Sequence, residues 1–413
     1  MPATLDLNYV RARFPAFAEG SLRDQAFFEN AGGSYVCAPV LNRLCEYYRR
    51  LKVQPYYAYP ASAEAGAWMD ASHSRLAEYL GVADDEVHFG PSTSQNTYVL
   101  AQAFGKWLRP GDEVIVTDQD HEANSGVWRR LEAAGMNIRQ WSVDPESGAL
   151  DPEALERLMT ERTRLLVFPH CSNIVAQINP VATITAMARS AGVVSVVDGV
   201  SFAPHGLPDV GTLGADIYLF SLYKTFGPHQ GLMTIRRPLL DQLDNEGHGF
   251  NADIPHKRLV PAGPDHAQVA AARGIAEYFD ALDAHHGGGE PAQRPERVRR
   301  LLRGAEQPLV ARLLETLTSR TDLRLLGPAD ARQRAATIAF VPLRSEPTAV
   351  VRALAGHGVM AASGHFYSRR LLEAMGIDPL RGVVRLSLAH YTSGEDVDRL
   401  ISALQAALAT ASR

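Results

Sequence analysis

With 413 residues, 46% of them hydrophobic and 21% charged, the chain can bury two sizeable cores and has the composition of a soluble globular enzyme. A formal charge of −5 and only short basic clusters (Arg297 to Arg303, Arg369 with Arg370), which read as solvated helix faces, leave nucleic acid and membrane surfaces without an electrostatic footprint. The N-terminus "MPATLDLNYVRARFPAF" lacks the pattern of a signal peptide, and no run approaches the roughly 18 apolar residues of a membrane span. Cys37, Cys45 and Cys171 form neither a metal-ligand spacing nor an even disulfide set, so a cytoplasmic protein without a metal centre is expected.

In chain order, "DEVIVTD", "NIRQWSVD", "RLLVFPH", "VVSVVDG", "DIYLFS" and "GLMTIRR" read as strands between about residues 86 and 237. Helical segments such as "SQNTYVLAQAFGKWL", "DPEALERLMTE" and "PVATITAMARSAG" separate them. This alternation predicts an α/β fold with a mostly parallel, doubly wound sheet, in which ligands sit at the carboxyl ends of strands. "HHGGGEPAQRP" (285–295) reads as a flexible polar excursion. Beyond it come an arginine-rich amphipathic helix, strand "ATIAFVPL", helix "TAVVRALAGHG", strand "GVVRLSLAHY" and helix "GEDVDRLISALQAALA", a smaller α+β block. The expected division is an N-terminal segment (1–30) packing on the small domain, a large domain (31–270) and a small C-terminal domain (271–413).

The residues with chemical potential fall at strand ends. Lys224 follows "IYLFSLY" in a chain whose 41 basic residues include only four lysines. An amine at the mouth of an apolar strand is desolvated, its pKa falls, and it can form an imine, which guanidinium cannot. "FGPSTSQNT" (89–97) sets Ser92, Thr93 and Ser94 between a short strand and a helix, as a phosphate cradle or simply a capped helix start. It matches neither the P-loop nor the dinucleotide fingerprint. Asp198 ends "VVSVVD", where it either meets a cationic ring nitrogen or caps the following loop. His121 in "DQDHEAN" suits stacking or acid/base work, or neither. Arg385 in "VVRLSLAHY" suits a bidentate carboxylate contact or an ordinary ion pair. Together these groups form the set that pyridoxal phosphate requires.

The chain resembles fold-type I pyridoxal-phosphate enzymes of the class V aminotransferase superfamily, in the cysteine desulfurase-like branch. The resemblance runs through "FFENAGGSYVCAPV", "VHFGPSTSQNT", "DQDHEANSGVW", "FPHCSNIVAQINPV", "VVDGVSFAPHGLPDVGTLGADIYLFSLYKTFGPHQG", "SGHFY" and "VVRLSLAHYTSGEDVDRL". It implies that Lys224 forms the imine, Asp198 pairs with the pyridine nitrogen and His121 stacks on the ring. It also implies that Ser92, Thr93, Ser94 and Ser221 hold the phosphate and that Asn173 and Arg385 bind the substrate carboxylate. Asn30, Ala31 and Gly32 would line the substrate entrance. A homodimer is implied, with the segment near Gly263 approaching the partner's phosphate.

The chain departs from that pattern at several positions. Where desulfurases of this kind carry a persulfide-forming cysteine, the chain reads Gly364, His365, Phe366, Tyr367, without a thiol. Tyr223 stands where the family has a histidine, Ser201, still expected with Asn173 among the cofactor-binding residues, where it has a glutamine, and Pro264 where it has a threonine. The reading is an enzyme acting on cysteine or an S-substituted cysteine, with Tyr223, Tyr367 or His365 as candidate proton donors to the leaving group. The alternatives are an aminotransferase or epimerase of the same superfamily and, from another class, a catalytically idle binding or regulatory relative.

Overall fold

The computed structural model describes residues 4–410. Seven strands build the large sheet: β1 Val87–Gly90, β2 Glu113–Thr117, β3 Asn137–Trp141, β4 Thr163–Pro169, β5 Val194–Asp198, β6 Ile217–Ser221 and β7 Gly231–Ile235. All six runs expected from the sequence appear. The order across the sheet is β1-β7-β6-β5-β4-β2-β3, and β7 alone runs against its neighbours. Strands β5 and β6 are mostly apolar and nearly all buried because helices cover both faces of a parallel sheet.

Helices Thr93–Trp107, Pro152–Leu158 and Val181–Ser190 occupy the predicted segments. Two others, Pro60–Leu80 and Gly274–His285, add buried faces to the core on one side of the sheet. The glycine-rich excursion joins Gly274–His285 to helix Arg294–Thr318. The basic face of that helix is partly paired: Arg297 donates to both Asp283 oxygens at 2.7 Å, and Arg294 to Asp280 at 3.0 Å.

The smaller sheet contains β8 Leu323–Leu326, β9 Thr337–Pro342, β10 Ala362–Gly364 and β11 Val383–Ser387 in the order β10-β11-β9-β8, all antiparallel. Its core includes Ile338, Phe340, Val384 and Leu386 from strands, Leu400 and Leu404 from helix Gly394–Thr410, and Ala26 with Phe28 from the N-terminal segment. Val10 and Phe14, from the same segment, pack instead into the large core. Among the described residues, no helix is long and apolar enough to cross a membrane.

Candidate active site

The carboxyl ends of β5 and β6 present Asp198 and, one 3₁₀ turn further on, Lys224. Asp198 is 7% exposed and accepts one hydrogen bond, from the Val200 N–H at 2.8 Å. Burial pushes its carboxyl up to about 6, against the pull of the Val200 N–H and the Lys224 charge. Gly199 lets β5 turn beside Tyr218, since a Cβ there would lie 2.1 Å from the phenol oxygen. The Lys224 amine is pushed down to about 8, first by burial and then by Arg385, while Asp198 and Glu29 pull the other way. The turn is clamped from the N-terminal segment: Ser34 N–H donates to the Tyr223 carbonyl at 3.1 Å, and Cys37 N–H to that of Phe226 at 3.0 Å.

Beside Lys224, two glycines allow a helix to dock end-on. Gly90 and Gly231 face each other across β1 and β7, and Gly231 pairs with Ser221 on its other side. A Cβ on Gly231 would lie 2.3 Å from the Ser92 carbonyl carbon and 2.4 Å from the Thr93 nitrogen. The start of helix Thr93–Trp107 therefore rests on the sheet edge. Ser92 caps it by accepting the Gln95 N–H at 3.1 Å, and the Thr93 hydroxyl reaches that of Ser221 at 2.8 Å.

His121 caps helix Glu122–Arg129, its Nδ1 accepting the Ala123 N–H at 3.1 Å. Burial, with Lys224 and Arg385 nearby, pushes its pKa down to about 3, so the ring is neutral and its proton sits on Nε2. Behind it, burial and the Asp198 charge push Asp120 up to about 8, although Asn124 and Thr117 hydrogen-bond to it.

The opposite wall comes from the smaller sheet and the loop Gly364–Ser368. Arg385, on β11, is 3% exposed; its Nη2 donates to Glu29 Oε1 at 2.8 Å, and the Phe366 ring lies 3.8 Å from its guanidinium carbon. Asn173 holds the loop, donating to the Phe366 carbonyl at 2.9 Å and accepting from Ser368 Oγ at 2.6 Å. The Glu122 N–H donates to the Tyr367 carbonyl at 2.7 Å. Phe366 (φ 47°) and Tyr367 (φ 59°) are consecutive left-handed residues, a costly conformation that these bonds sustain.

These walls enclose a cavity of about 630 Å³ lined by Lys224, His121, Tyr223, Asn173, Arg385, Ser94, Ala31, Gly32 and Tyr367 among the expected residues. Tyr223 stacks on His229 at 4.6 Å, and burial raises its phenol pKa. Asp198, Ser92, Thr93 and Ser221 do not line it but stand at the strand end and helix start described above, and three further expected residues stand elsewhere. Asn30 is a clasp, donating to the Ser387 and Phe27 carbonyls at 2.8 and 3.3 Å and accepting from the Tyr391 hydroxyl. His365 is exposed, its Nδ1 accepting the Tyr367 N–H at 3.0 Å, and Ser201 lies in the turn beyond Asp198; neither lines the cavity. Glu29, Tyr98, Glu122, Arg130 and Phe366 line it without having been singled out. Glu29, Glu122 and Phe366 carried a signal, as neighbours within the quoted blocks "FFENAGGSYVCAPV", "DQDHEANSGVW" and "SGHFY".

Pyridoxal phosphate fits the groups present. The docked helix start and the Thr93–Ser221 hydroxyl pair offer donors to a phosphate, and the glycine pair lets that helix start sit against the sheet. Asp198 keeps an oxygen that accepts no hydrogen bond from the described residues, suited to a ring cation. Lys224 carries the one primary amine in the cavity.

Comparisons with known proteins agree with this arrangement. The family model described as "Aminotransferase class-V" matches residues 26–257 and 301–400. An "Aminotransferase-like protein FGM3" from Gibberella zeae is 35% identical over 98% of this chain and 99% of its own. A cysteine desulfurase from Pectobacterium carotovorum is 31% identical over 97% of each chain. Among solved structures, the cysteine desulfurase CsdA from Escherichia coli (TM-score 0.83, 98% of this chain, 99% of that one) and the apo cysteine desulfurase from Thermococcus onnurineus (TM-score 0.87, 99% and 100%) share the fold at 23% identity. With the family matched over most of its length, the chain belongs to the class-V aminotransferases and is a pyridoxal-phosphate-dependent enzyme.

Proposed function

We propose that this enzyme cleaves a carbon–sulfur bond in cysteine or an S-substituted cysteine and releases the sulfur as a small molecule, working as a cytoplasmic homodimer. The observation that carries the reading is the meeting of Lys224, His121 and Arg385 in one cavity whose loop wall, Gly364–Ser368, has no thiol. Cys37 and Cys171 are buried, and none of the three cysteines lines the cavity. The relatives named cysteine desulfurase support the substrate class.

Pyridoxal phosphate, when bound, supplies an aldehyde for the substrate amine and a cationic ring that accepts the electron pair left at Cα. Asp198 places its carboxylate as the counter-charge for such a ring, and the neutral His121 offers it a flat face. Ser92, Thr93, Ser94 and Ser221 surround the helix start where a phosphate is held. Lys224 Nζ takes the Cα proton; a pKa near 8 leaves part of the amine neutral at physiological pH. Arg385 and Asn173 grip the carboxylate, with Ala31 and Gly32 beside them. Tyr223, kept protonated by burial, or Tyr367 donates a proton to the departing sulfur, and the exposed His365 holds the Tyr367 turn through its N–H. The Cβ–S bond breaks with its electron pair on sulfur, and water then hydrolyses the released three-carbon remainder to pyruvate and ammonia.

Incubation with cysteine, cystine and cysteine sulfoxides tests this: pyruvate together with a sulfur product is expected, and their absence from every substrate overturns it. The aminotransferase-like relative favours a second reading, transamination, which would give a 2-oxo acid retaining its side chain. The dimer is supported by exposed aromatic residues, Tyr56 at 52% and Phe250 at 83%, in the groove that holds Gly263 and Pro264. Analytical ultracentrifugation should give twice the chain mass.

A further inference from the structure

Arg385 is engaged before any substrate arrives. Its Nη2 donates to Glu29 Oε1 at 2.8 Å, and its Nη1 reaches the Asn173 carbonyl at 3.4 Å. The pair is half made, because Arg385 Nε and Glu29 Oε2 are both buried without a hydrogen-bond partner. A guanidinium fork accommodates a free carboxylate through two parallel hydrogen bonds, and Glu29 uses one.

The geometry that brings Glu29 here is built into the chain. Glu29 bridges Ser387, which lies two residues from Arg385 on β11 and so shares its face. Gly32 leaves room for the side chain, since a Cβ there would lie 2.5 Å from Glu29 Oε1. Glu29 lines the same cavity as Lys224.

We infer that Glu29 is a specificity-determining residue, a resident carboxylate that neutralises Arg385 in the empty site and that the substrate carboxylate must displace. The inference rests on the reading of Arg385 as the carboxylate site. A buried arginine left unpaired is strongly unfavourable, and Glu29 offsets that cost while the site is empty. Affinity is in turn lowered by the fraction of molecules in which Arg385 is free. Ligands that engage both arms of the fork displace Glu29, and anions that engage one do not.

Calorimetric titration of the holoenzyme with propionate, which has a carboxylate and no amine to react, tests the inference apart from turnover. Glu29→Gln should bind propionate about tenfold or more tightly than the parent, in proportion to the freed arginine. Glu29→Asp, with a shorter reach, should fall between them and decides the matter if Glu29→Gln does not fold. If both variants bind within about twofold of the parent while Arg385→Gln loses binding, Glu29 is no competitor and the Arg385 reading stands. If Arg385→Gln binds propionate as the parent does, the carboxylate site lies elsewhere and both ideas fall.

Discussion

On the sheet side of the site, Asp198 accepts one hydrogen bond and Lys224 Nζ makes none with the described residues. On the loop side, the side-chain amide of Asn173 is bonded at both ends, the Phe366 and Tyr367 carbonyls are taken, and Arg385 already has a carboxylate. The sheet side therefore keeps titratable groups desolvated and short of partners, which is why their pKa values are displaced. The loop side is closed on itself and binds a ligand only by exchanging partners. On the proposed roles of these residues, the contrast separates two tasks: holding a resident cofactor, which rewards spare capacity built into a rigid scaffold, and admitting a transient substrate, which rewards replaceable contacts.

The largest effect is expected at Lys224. Lys224→Ala should lower turnover about 10⁴-fold and abolish covalent trapping of the cofactor by borohydride, because nucleophile and base are lost together. Asp198→Ala should cost about 10²–10³-fold in activity by leaving a buried ring cation unpaired. In the cofactor-free protein the same carboxylate is a burden. Its pKa is raised to about 6, above the unfolded value of about 4, so stability falls as pH rises between those values. Asp198→Asn should therefore melt above the parent at pH 7, with the advantage shrinking as pH falls through 6.

Gly231→Ala tests the scaffold. Its methyl would push against the Ser92 and Thr93 backbone, and a loss of about 1–3 kcal/mol in denaturant unfolding, with weakened cofactor retention, is expected. The smallest effect belongs to the loop side. Asn173→Ala removes two hydrogen bonds of about 1 kcal/mol each, and KM should rise roughly tenfold with kcat changing less. Equal losses in kcat from Asn173→Ala and Asp198→Ala would erase the distinction between the two sides.

Strand and helix positions were legible in the sequence because burial of one face or both imposes a local hydrophobic pattern, and "VVSVVD" and "DIYLFS" carry it over a few residues. Lys224 and Asp198 were legible for a related reason, since a charged group closing an apolar strand stands out against its neighbours. Tertiary structure alone decided that Arg385 meets Glu29 across 356 residues of chain, that Asn30 is a clasp, and that His365 turns outward. It likewise placed Gly90 against Gly231 so that a helix could rest on the sheet edge. Local pattern encodes which face is buried, whereas the partner of a buried charge depends on which distant segments meet there, and no short window of sequence holds that information.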